Sequence, residues 1–191
     1  MGQKFTITEQ ERNQIRGLYE QSEISSQSLN EQSEGNPLVY SQIVDVPNMP
    51  KDQLYDRIKQ WLASAFKSLQ NVNQLDDKVN GIFIGHGNMS WKSRVPSMMC
   101  ASGYIEFEMK IQVKDNKFKM QMSDFSHVAT AKYGDMCTLG LITDKEIYKT
   151  GILGGPYNKI WNQAKEDTKM YFDGLFNSLQ TKIKSDKPDD F

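Results

Sequence analysis

The sequence predicts an α+β domain of two layers: an antiparallel sheet with one face covered by two amphipathic helices, plus a short N-terminal helix. Two observations carry this. Ile105, Phe107, Met109, Ile111 and Val113 alternate with Tyr104, Glu106, Glu108, Lys110 and Gln112, so one strand has a dry face and a wet face. Two helical stripes, Leu54 to Leu69 and Ile160 to Leu179, supply the surfaces that cover the dry side.

Each element follows in order. Thr8 and Glu11 form a T-x-x-E capping box and predict a helix over 9–20. Residues 21–36 are rich in Ser, Gln, Glu and Asn and read as a polar linker. Leu38 to Val46 is a strand, broken by Val46-Pro47-Asn48-Met49-Pro50. Pro50 suits the start of the next helix, Lys51 to Gln70, because its missing N–H would have no helical partner there. Leu54, Ile58, Trp61, Leu62, Ala65, Phe66 and Leu69 give that helix one apolar face.

Val72 to Leu75 reads as a short strand before the Asn80-Gly81 turn, and Ile82-Phe83-Ile84 as the next. Met89 to Ser102 reads as an irregular loop holding Trp91, Pro96 and Cys100. A two-residue turn at Asp115-Asn116 then sets Val113 opposite Phe118, Ile111 opposite Met120, and Met109 opposite Met122. The same register would set Phe107 opposite Asp124. A bulge near Ser123-Asp124, returning Phe125 to the interior, is therefore predicted. Leu139 to Ile142 and Ile147-Tyr148 read as short strands or packed loop. Gly154-Gly155-Pro156 opens a last helix reaching Lys184, with Lys182 and Lys184 at its negative end. The organisation is a helix and linker (1–36), a folded domain (37–184) and a polar tail (185–191).

Charge excludes some functions. Lys plus Arg is 23 and Asp plus Glu is 24, a balance unlike that of a general polyanion binder. No apolar run approaches the roughly 18 residues that span a bilayer. Met1-Gly2-Gln3-Lys4-Phe5-Thr6 fits the loose myristoylation pattern but lacks a second membrane signal. A start added after removal of an upstream signal peptide is the simpler account.

The chemistry-bearing residues form no motif. His86 and His127, the only histidines, could join Cys100 and Cys137 as four metal ligands, yet their spacings match no metal site. No metal and no cofactor is therefore expected. Gly81, Gly85 and Gly87 lack the Gly-Lys-Ser/Thr of a phosphate loop. Ser90, Ser93, Ser97 and Ser102 lie outside any G-x-S-x-G. Two buried or partly buried thiols are the plainer reading of Cys100 and Cys137, and a bridge is the alternative. Asp76-Asp77 reads as a solvated turn, and the methionines Met98, Met99, Met109, Met120 and Met122 as adaptable core. Trp91 beside Lys92 and Arg94 is the candidate ligand-binding group, with His127; packing of Trp91 against the sheet is the plainer account. No catalytic set emerges.

Three segments together resemble a known family. They are Val39 to Pro47 leading into the Trp61 helix, Asp76 to Gly87, and Ile111 to Phe118 with Asp124-Phe125. Over Pro37 to Phe125 the chain resembles uncharacterised bacterial proteins with a TBP-like fold, typically exported proteins of Bacteroidetes. Asn116-Lys117 stands where the family pattern would have Gly-Arg or similar, and Asn still suits the turn. The resemblance implies a strand–helix–sheet–helix core, export, and no assigned activity. It brings no catalytic residues. TBP-like names a shape, and the wet face mixes Glu106, Glu108, Lys110 and Gln112 with Lys119, Gln121 and Ser123, so no nucleic-acid partner is expected.

The expectation is a non-catalytic exported domain that binds a protein partner or small ligand. A cryptic enzyme using Cys100 with His127, or His86, is the second reading. An envelope component docking through its N-terminal helix is the third.

Overall fold

The computed structural model describes residues 35–66, 73–131, 134–152 and 154–185. The predicted N-terminal helix, nearly all of the linker, residues 67–70 and residues 186–191 lie outside the described residues, and the helix predicted to run from Lys51 to Gln70 ends at Ala65, where Phe66 turns extended at φ −119°. From Pro37 onward the elements are β1 (Tyr40–Asp45), α1 (Lys51–Ala65), β2 (Asn73–Asp77), β3 (Ile82–Trp91), a 3-10 helix (Pro96–Ala101), β4 (Gly103–Lys114), β5 (Lys117–Ala129), a 3-10 turn (Gly134–Cys137), β6 (Gly140–Leu141) and α2 (Gly154–Ser185).

The six strands form one antiparallel sheet in the order β1-β5-β4-β3-β2. β6 also pairs β5, beyond the end of β1. The hairpin register is the predicted one: Val113 faces Phe118, Ile111 faces Met120, and Met109 faces Met122. Between Glu106 and Glu108 the register shifts, and Asp124 takes a positive φ of 56°. That bulge turns Phe125, His127 and Ala129 inward, where all three are buried.

Both helices pack on the dry face. Tyr171 of α2 meets Phe107 at 5.6 Å, and Phe176 meets Phe118 at 6.3 Å. α1 contributes Leu54, Ile58, Trp61 and Leu62 to the same core. α1 has no side-chain cap of its own; Asp115 at the hairpin tip accepts from the Lys51 N–H at 2.8 Å. No described helix is long and apolar enough to cross a membrane.

The expectations for the loop from Met89 and for the two thiols are corrected, and the open choice at Ile147-Tyr148 is resolved. Met89 to Ser102 is largely regular: β3 pairs with β4 out to Trp91 opposite Gly103, and Pro96–Ala101 is helical. The dry positions of β3 are Phe83, Gly85, Gly87, Met89 and Trp91, and the two glycines erase the apolar alternation. Gly87 is required, because a Cβ there would lie 2.6 Å from the Phe107 ring. Ile147-Tyr148 takes the second of its two expected forms, packed loop, with Tyr148 against Trp161 at 4.9 Å. Cys100 and Cys137 are bridged, with Cα atoms 5.9 Å apart, because the 3-10 segments that carry them, Pro96–Ala101 and Gly134–Cys137, pack against each other.

Candidate functional site

Beyond Trp91 the chain leaves the sheet and runs beside α2. Gln163 holds it there. Its Nε2 donates to the Lys92 carbonyl at 2.8 Å, and its Oε1 accepts from the Arg94 N–H at 2.8 Å. One turn on, Asp167 accepts from Trp91 Nε1 at 3.0 Å and from Arg94 at 2.9 and 3.0 Å. Gln163 Nε2 also donates to Asp167, at 3.2 Å. The Asp167 side chain is 14% exposed and Trp91 is buried, so this network is mostly out of water and fixes the indole.

Beside the network lies an open groove of about 590 Å³. Met89, Met170 and Tyr171 give it an apolar floor; Ser90, Lys92 and Arg94 give it a polar rim. Met170 is 69% exposed. Arg94 is paired with Asp167, whereas the Lys92 ammonium has no ion pair among the described residues. Burial holds the Tyr171 hydroxyl above its usual range, so it stays protonated.

The structure thus brings Trp91, Lys92 and Arg94 to one groove. His127 lies behind them, fully buried against Trp91. Leu139 N–H donates to its Nδ1 at 3.0 Å, which assigns the proton to Nε2, 2.7 Å from the Ala101 carbonyl it bonds. Burial pushes the imidazole below its ordinary pKa, so it stays neutral. Both nitrogens are engaged and Cys100 is bridged, so the two form no nucleophile–base pair in this state. His86 stands on the open face of the sheet, opposite Glu108. No cluster of three metal-ligating side chains exists among the described residues.

Sequence reasoning missed Gln163 and Asp167. Their one signal is spacing: Gln163 lies between Ile160 and Ala164 on the flank of the apolar stripe, and Asp167 follows four residues later.

A family described as a domain of unknown function (DUF4468) with TBP-like fold matches residues 40–128. Among solved structures the chain is similar to a TBP-like protein from Parabacteroides distasonis, at 16% identity over 77% of this chain and 95% of that one, with a TM-score of 0.54. It is also similar to a DUF4468 family protein from Bacteroides ovatus, at 15% identity over 81% and 90%, with a TM-score of 0.47. No curated protein matches. At such identities the first likeness speaks of fold alone. The matched segment holds β1 to β5 with Trp91, while Asp167, Met170 and Tyr171 come from α2 outside it. Over residues 40–128, a little under half of its length, this chain is similar to the DUF4468 family of domains of unknown function with a TBP-like fold.

Proposed function

We propose that the protein is an exported, non-catalytic binding domain of the cell envelope, and that its ligand occupies the groove between β3 and α2. The ligand has an apolar body and an anionic group, as a small molecule or as part of a protein partner. The observation that carries this is Met170, 69% exposed on the groove floor, beside the unpaired Lys92 ammonium. A volume of about 590 Å³ is of the size that holds small ligands. The engaged His127 and bridged Cys100 support a binding role over a catalytic one. The disulfide supports export, since such bonds persist in oxidising compartments. Glu106, Glu108 and Asp124 on the sheet disfavour a nucleic-acid partner there.

The test is titration with anilinonaphthalene sulfonate, an apolar probe with one anionic group. Saturable binding is expected, weakened about tenfold or more by Met170→Asp and by Lys92→Glu, each with an unchanged melting temperature. Wild-type affinity in both variants would refute the groove as the site. Fractionation of source cells reads export separately; a cytoplasmic location would remove that part of the reading.

A further inference from the structure

The open face of the sheet carries a second feature. The strand register places Asp45 opposite Lys117, and Lys117 opposite Lys114. One step inward it places Ile43 opposite Lys119, and Lys119 opposite Gln112. These six side chains surround a hollow of about 320 Å³ at the hairpin end. None of the three ammoniums makes an ion pair among the described residues. Lys114 and Lys117 are like charges directly across an antiparallel pair, an arrangement that destabilises a sheet and that an anion would relieve. The one carboxylate in the hollow, Asp45, leaves it with an excess of two positive charges. Ile43 adds an apolar wall, itself 66% exposed.

We propose that this hollow binds a small, multiply charged anion of phosphate or carboxylate chemistry. Lysine serves this purpose as a flexible point charge, and three of them line the hollow without an ion pair among the described residues. A small anion fits better than a polymer. Towards the other end of the same face stand Glu106, Glu108 and Asp124, which would repel a chain of phosphates continuing along the strands. This site is separate from the groove of the proposed function and stands or falls apart from it.

The experiment is an amide NMR titration of the full chain at low salt, with pyrophosphate in one arm and citrate in the other. Saturable shifts are expected in at least one arm, confined to Ile43, Asp45 and Gln112 to Lys119, and the stronger arm identifies the chemistry. The double variant K114Q/K117Q should lose affinity about tenfold or more, and D45N should gain several-fold. The double variant should melt no lower than wild type, because it removes the repulsion; folding loss therefore does not mimic loss of binding. The proposal is overturned if neither anion saturates, if the double variant binds as wild type does, or if shifts spread equally to Lys59, Lys92 and Lys169.

Discussion

Trp91 and His127 meet at 75° with ring centroids 4.8 Å apart, the indole held by Asp167 and the imidazole by hydrogen bonds at both its nitrogens. The contact joins the lining of the groove to the part of β5 beyond its bulge. It also makes the groove depend on a neutral imidazole.

Stability should therefore fall on mild acidification. The folded-state pKa of His127 is depressed by burial, so the unfolded chain takes up its proton first. Full stability is present above the unfolded value of about 6.5 and is lost as pH drops below it. Thermal melts between pH 7.5 and 5 check this (roughly the window around that reference value). The melting temperature of wild type should decline, and His127→Gln should flatten the slope. Asp76, whose carboxyl is held low by Lys59 and then Tyr55, acts in a different window, below its unfolded value of 3.8. An equal slope in the variant would assign the effect elsewhere.

Reduction of the disulfide should loosen the same end of the sheet. Cys100 and Cys137 are 37 residues apart, and closing a loop of that length removes about 3–4 kcal/mol of unfolded-chain entropy. Cys100→Ser with Cys137→Ser should lower the melting temperature by about 10 °C. The expectation fails if oxidised and reduced protein melt together.

Asp167 should matter more than the arginine paired with it. Asp167→Ala orphans the buried Trp91 N–H and should cost about 1–3 kcal/mol. Arg94→Ala breaks an ion pair whose arginine side chain is 62% exposed, and should cost less than about 1 kcal/mol. Chemical denaturation of both variants decides; the reverse ranking would show that the network is not what fixes the indole.

Two backbone positions test the sheet directly. Gly87→Ala drives a methyl into the Phe107 ring and should cost about 1–3 kcal/mol. At Asp124, φ 56° suits glycine and punishes a β-branched residue. Asp124→Gly should be near neutral, while Asp124→Val should lose at least about 1–2 kcal/mol in the same denaturation assay.

The hairpin and both helices were legible because their apolar periods are uninterrupted. The bulge was legible from a conflict: extending the register put Phe107 against Asp124, and only an extra residue resolves that. The far half of β3 was not, because Gly85 and Gly87 occupy inward positions and leave no apolar mark. The groove was half legible. Trp91, Lys92 and Arg94 stood out as an aromatic among cations, whereas Asp167 and Gln163 resemble any polar residues on a helix. The lysine hollow is invisible in one dimension, since Asp45 and Ile43 join it only through the pairing of β1 with β5.

That pairing has a consequence for assembly. β3, β4 and β5 are neighbours in sequence as well as in space, joined by the Lys92 to Ser102 connection and by the tight Asp115-Asn116 turn. β1 and β6 dock onto opposite halves of β5, one arriving from far upstream and one folding back from just downstream. β5 is thus the spine on which early and late segments converge, and its amides, bonded on both flanks, should be the last to exchange with solvent deuterium.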